Sequence, residues 1–158
     1  MYCNLIFMVE EGFNEAKRLI KAADHMIYVT YPVLKESRLL IKILEQIGQA
    51  INLALGLILE KEFKDKKIEG LPEKKNFLEA FIKVSSKYGI SMTQINELDS
   101  IFEVIERHKK SPMEFARKDK LIILSDNLRT EALTLERLKS FINTSKDFMK
   151  KIESSLFP

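Results

Sequence analysis

The strongest constraint on this 158-residue chain is the stretch from Tyr31 to Phe63, whose middle reads Ile43-Leu44-Glu45-Gln46-Ile47-Gly48-Gln49-Ala50-Ile51-Asn52-Leu53-Ala54-Leu55-Gly56-Leu57-Ile58-Leu59. Pro32 suits the first turn of a helix, where a missing N–H costs nothing, and no later proline interrupts the run. The stretch therefore predicts one helix, roughly 45 Å long at about 1.5 Å per residue. Its polar residues Arg38, Lys42, Glu45, Gln49 and Asn52 recur at steps of four and three, which draws one narrow wet stripe along an otherwise apolar rod. Such a rod needs cover on most of its sides, so it is read as the central member of a helical bundle.

The flanking sequence supplies the cover. Phe13, Ala16, Ile20, Ala23 and Ile27 recur at helical spacing and predict a first helix from about Gly12 to Val29. The tight aromatic turn Tyr28-Val29-Thr30-Tyr31-Pro32 should then fold it back antiparallel onto the central helix. Gly48, Ala50, Ala54 and Gly56 offer room for a neighbouring helix to approach. The charged run Lys61 to Lys75 reads as a surface connection. Pro72 should open a third helix carrying Phe77, Leu78, Phe81, Val84 and Tyr88, with Gly89-Ile90 as its left-handed stop. Ser91-Met92-Thr93-Gln94 has the spacing of a capping box, and the fourth helix it starts carries Ile95, Leu98, Ile101, Phe102 and Ile105 as far as Ser111-Pro112.

The period then changes. Met113 to Arg117, Leu121 to Leu124 and Leu128 to Leu133 read as three short strands separated by turns at Lys118-Asp119-Lys120 and Ser125-Asp126-Asn127. Thr134 can cap a last helix with the seam Leu138, Phe141, Ile142, Ser145, Phe148, Ile152 and Leu156. The predicted fold is mainly α: one domain over 1–158, about five helices around a long central one, with a small antiparallel β-meander at about 113–134 before the last helix.

Composition excludes several classes of function. With 46% hydrophobic and 31% charged residues the chain should fold, and a net charge of +3 creates no global field for nucleic acid. The single cysteine, Cys3, and only two histidines exclude an internal disulfide and make a zinc site unexpected. No Gly-x-Gly-x-x-Gly, Walker or Gly-x-Ser-x-Gly pattern occurs, so neither metal nor cofactor is expected. The run Ile43 to Leu59 is shorter than the roughly 20 residues a membrane span needs, and it carries Glu45, Gln46, Gln49 and Asn52. No basic residue precedes the apolar N-terminal run, so no secretory signal is read there, and the expected setting is the cytoplasm.

Three groups of residues could carry chemistry. Arg18 and His25 lie seven apart on one helix face, and His25 can titrate near neutral pH. Their spacing fits the loose Arg-x4-6-His signature, and together with the two long antiparallel helices it resembles the HEPN ribonucleases. That resemblance implies a metal-independent acid–base cut of RNA at a dimer cleft, with Arg18 and His25 in the catalytic roles. The second group is Arg107, His108, Lys109 and Lys110, followed by Phe115, Arg117, Lys118 and Lys120. These cations suit a helix C-terminus, and with Phe115 beside them they also suit a polyanion backbone. The same segment, with Ser125-Asp126-Asn127 and Tyr31-Pro32, resembles small uncharacterised archaeal helical proteins, which implies an archaeal cytoplasmic setting and supplies no activity. Third, Asp99, Glu103 and Glu106 lie along one helix and could bind a divalent cation if partners from elsewhere joined them, but helix pairing is the simpler account, since Glu103 with Arg107 and Glu106 with Lys110 have favourable acid-first spacing. The leading expectation is a non-catalytic helical interaction protein, a homodimer or the partner of another protein, because the central helix carries more apolar surface than its neighbours would cover. The alternative is a HEPN-like module that binds or cuts RNA.

Overall fold

The computed structural model describes residues 2–158. Helix α1 (Tyr2–His25) passes through a π-helical turn (Met26–Thr30) into a short helix α2 (Tyr31–Leu34). The reversal comes only at Lys35, which adopts a left-handed φ of 51°. The long central helix α3 then runs from Arg38 to Lys64.

This corrects the sequence reading at both ends of the first helix. Val9 is buried and carries the stripe of Phe13 and Ala16 back one more turn. At the other end, Pro32 lies inside a helical path and does not open the central helix. A proline ring collides with the carbonyl four residues earlier. The π-turn widens the backbone at that point, so the N–H of Tyr31 bonds to the carbonyl of Met26, five residues back. The predicted single helix over Tyr31 to Phe63 is accordingly split at 35–37, and its longer part lies at the centre.

Leu40, Ile43, Leu44, Ile47, Ala50, Ile51, Ala54, Leu55, Ile58 and Leu59 of α3 are all fully buried. The expectation that this helix keeps surplus apolar surface is wrong, because α1, helix α5 (Met92–Lys110) and helix α6 (Leu135–Leu156) cover it together. Gly48 permits the closest of these approaches: a Cβ there would lie 2.3 Å from Cδ1 of Ile105 on α5. By length and composition α3 is long and apolar enough to cross a membrane, and half of its most apolar window is buried in the bundle.

The predicted third helix is fragmented. A 3-10 turn (Lys74–Asn76) leads into a short helix α4 (Phe77–Ile82) and a second 3-10 turn (Ser85–Tyr88). The Ser85 hydroxyl donates to the Ile82 carbonyl at 2.9 Å, drawing off an acceptor that a continuing helix would use. Gly89 closes the segment at φ 69°, with Ile90 N–H donating to Ser85 C=O and Gly89 N–H to Ser86 C=O, a Schellman stop covered by buried Ile90. The capping box at Ser91 and Gln94 forms as predicted, and Gln94 also donates to Asp147 of α6 at 2.5 Å.

Strands β1 (Met113–Arg117), β2 (Lys120–Leu124) and β3 (Thr130–Thr134) form an antiparallel three-stranded sheet in the order β1-β2-β3. Leu121, Ile123 and Leu133 belong to the same core as the helices, so one face of the sheet is packed on the bundle. Thr134 caps α6 by accepting from the N–H of Arg137, and Leu138, Phe141, Ile142, Ser145, Phe148 and Ile152 form its buried seam. Phe148 meets Phe81 edge-on at 5.9 Å between ring centroids.

Candidate functional site

One cluster of titratable groups from three elements surrounds His108, in the last turn of α5. Its Nδ1 faces the carboxylate of Glu114 on β1, and its Nε2 lies 3.4 Å from Oε1 of Glu45 on α3. The imidazole therefore has a carboxylate beside each of its two ring nitrogens. It then works as a clasp that joins α3, α5 and β1. The clasp borders a groove of about 610 Å³ between β1 and the turn into α3, whose walls include Lys35, Arg38 and Phe115.

Arg107, next in the chain to His108, is committed elsewhere. It donates to Glu131 of β3 at 2.5 Å, and Arg137 of α6 holds the other oxygen of that carboxylate at 2.8 Å. Burial pushes the Glu131 carboxyl up, but hydrogen bonds from Arg107 and Arg137 outweigh it and hold the group below the ordinary carboxylate range. The same bond raises the Arg107 guanidinium further. This acid pins the outer strand of the meander between two helices.

The structure does not bring the sequence candidates into one place. Arg18 is exposed and paired with Glu15 at 2.7 Å, a bond that lowers the Glu15 carboxyl and raises Arg18. His25 is exposed at the end of α1, on a different element from His108. Lys109 pairs with Glu106 at 3.6 Å, the spacing being three residues and not the four predicted with Lys110, whereas the Glu103 to Arg107 pair forms at 3.8 Å. Among the described residues, Lys110, Arg117, Lys118 and Lys120 have no acid within ion-pair distance. Strand alternation sets Phe115 and Arg117 on the sheet face turned away from the core, and Lys120 opposes Arg117 there.

The wet stripe of α3 does find a use. Glu45, Gln49 and Asn52 line a groove of about 680 Å³ with Lys74, Asp99 and Glu106. Its walls carry both signs of charge, and among the described residues no three His, Cys, Asp or Glu side chains are placed to hold a metal ion.

One buried group escaped the sequence reading altogether. Glu62, near the end of α3, is fully buried, and its Oε1 accepts from the Tyr88 hydroxyl at 2.5 Å and from Nζ of Lys87 at 2.8 Å. Burial alone would raise this carboxyl, but Lys87 and Tyr88 together hold it low, while burial and the Glu62 bond push the Tyr88 phenol well above its usual value. Oε2 is without a hydrogen-bond partner among the described residues. A signal existed in the spacing: Ile51, Leu55, Ile58 and Glu62 follow steps of four, three and four, which places the acid on the buried face.

These acid-centred contacts join elements that lie far apart in the chain. Compared with known protein families, curated proteins and solved structures, the chain matches none.

Proposed function

We propose that this chain is a non-catalytic cytoplasmic interaction protein that pairs with a second copy of itself. One observation carries the reading: Tyr28, Val29, Val33 and Leu34 form an exposed apolar ridge along the π-turn and α2, and Val33 is 77% accessible. A soluble fold seldom leaves adjacent large apolar groups in water without a use for them. No charged residue lies between Tyr28 and Leu34 in the chain, and the one cation set on the ridge, Lys139 of α6, stands over the Tyr28 ring at its end, 5.6 Å from the ring centroid. Cys3 is exposed and unpaired, which suits a reducing compartment. Sedimentation velocity at about 20 µM tests the reading, a concentration at which a dimer of submicromolar affinity stays assembled. The expected result is a dimer for the natural chain and a folded monomer for Val33→Glu; a natural chain that sediments as a monomer contradicts it.

A second reading is RNA binding, supported by the shared outer face of Phe115, Arg117 and Lys120 and by Lys110 and Lys118 having no acid within ion-pair distance among the described residues. A base can stack on an exposed aromatic ring while cations hold the adjoining phosphates. Fluorescence anisotropy with a labelled uridine oligonucleotide should then show salt-sensitive binding that Phe115→Ala and Lys120→Glu weaken. In the HEPN-like form of this reading Arg18→Ala and His25→Ala abolish cleavage, and unchanged cleavage and binding in those variants would dismiss it.

A further inference from the structure

The meander leaves one hydrogen-bonding edge open. In an antiparallel sheet the backbone groups of successive residues point alternately to the two sides of a strand. Arg137 donates from outside the sheet to the carbonyl of Ala132 at 3.3 Å, so Ala132 faces outward while Glu131 and Leu133 face β2. Through the register of Leu121 with Leu133 and Ile123 with Glu131, the same alternation turns Lys120, Ile122 and Leu124 toward β1. Phe115 and Arg117, opposite Ile122 and Lys120, are then bonded inward, and the N–H and C=O groups of Glu114 and Ala116 point away from the sheet. Among the described residues no strand pairs on that side. The two edges differ, because the β3 edge is capped by Arg137 and the β1 edge opens onto the groove described above.

Charge decides what fits there. Lys35 and Arg38 stand across the groove from Glu114 and Ala116. Both cations are exposed, and neither has an acid within ion-pair distance among the described residues. The Tyr31 hydroxyl donates to the Asp119 carbonyl at 3.3 Å, which holds the β1–β2 turn beside α2. That turn carries Lys118 at a left-handed φ of 54°, and its Asp119 and the adjoining Lys120 line a neighbouring cavity together with Lys35. Two acids also line the groove. Glu114 lies against His108, which leaves Glu36 and the turn's Asp119 against Lys35, Arg38, Arg117, Lys118 and Lys120.

We infer that the β1 edge takes up an extended segment of a partner protein as a fourth strand, with acidic side chains of that segment lying beside Lys35, Arg38 and Arg117. Main-chain bonds to Glu114 and Ala116 supply the affinity and the cations supply the selection. A second β1 is a poor occupant. It would carry Arg117 and Lys118 toward the unpaired Lys35 and Arg38, and its one acid, Glu114, is held by His108. The inference rests on reading the chain as an interaction protein, but it uses a different surface from the apolar ridge.

The test uses the full chain and a fluorescein-labelled synthetic peptide of about eight residues, alternating valine and threonine and ending in aspartates, a usual strand length. Saturable anisotropy is expected, with new contacts seen as shifts of the Glu114 and Ala116 amide resonances. Ala116→Pro removes an N–H that faces outward, so the hairpin stays paired while peptide affinity falls about tenfold. The double variant Lys35→Glu with Arg38→Glu should weaken binding about as much without touching the strand. The same peptide ending in lysines, or carrying proline at alternate positions, should not bind. No saturable binding by the natural chain, or equal binding by Ala116→Pro and the double variant, would overturn the inference. So would a dimer that Ala116→Pro dissociates, since the edge would then belong to a second copy. A chain that sediments as a monomer yet binds the peptide keeps this inference and loses the ridge, whereas a dimer blind to the peptide does the reverse.

Discussion

Helix α3 and the β-meander deal with apolar side chains in opposite ways. On α3 every leucine and isoleucine is buried or half-buried, and only Phe63 near its end is exposed. In the meander only Leu121, Ile123 and Leu133 are buried, while Met113, Phe115 and Leu128 stand in solvent. The difference follows from shape. A rod can be surrounded by other rods, but a three-stranded sheet has two faces and two edges, and a single layer of helices covers one face. One region is therefore scaffold, and the other retains the means of contact.

Substitutions should divide along the same line. Phe81→Ala, at the fully buried junction with Phe148 and Tyr88, should cost about 4 kcal/mol in urea denaturation, from lost transfer energy and the cavity left behind. Lys87→Met should cost about 2 kcal/mol, because the buried Glu62 carboxylate keeps only Tyr88 as a donor, and water around the half-exposed lysine limits the loss. A smaller effect is expected on the acid side. Glu62 and Glu131 are both held below the ordinary carboxylate range, so their contribution is complete above the unfolded value of about 4.3 and disappears as pH falls through the folded values. Glu131→Gln should flatten that acid limb when stability is measured between neutral pH and about pH 3, by roughly 1 kcal/mol. Phe115→Ala should change stability by less than about 1 kcal/mol, since the ring is 43% exposed. A Phe115 cost near that of Phe81 would erase the distinction between scaffold and contact surface.

How much could be read from the sequence also separates the two regions. The seam of α6, the Ser91 capping box and the Gly89 stop depend on residues within a few positions of each other, and local periodicity or capping chemistry exposes them. Pro32 misled the reading because a π-turn can carry a proline inside a helical path, which moves the reversal to Lys35. The third helix broke where Ser85 returned its hydroxyl to a backbone carbonyl, a choice that propensity does not reveal. The acids around His108 and Glu131 come from elements remote in the chain, so the sequence displayed a run of cations and concealed the carboxylates that occupy Arg107 and His108. The sequence points to α3 for the apolar surplus, whereas exposed apolar groups cluster at Ile6 to Met8 of α1, on the ridge at Tyr28 to Leu34 and on the meander.

Residue-resolved amide hydrogen exchange of the free chain tests the division most directly, because it reads hydrogen bonding and cover at each N–H. The account predicts slow exchange through the middle of α3, near the limit of global unfolding, and an alternation along β1 in which Phe115 is protected while Glu114 and Ala116 exchange freely. Uniform protection along β1, or an α3 that exchanges as fast as the meander, would contradict it.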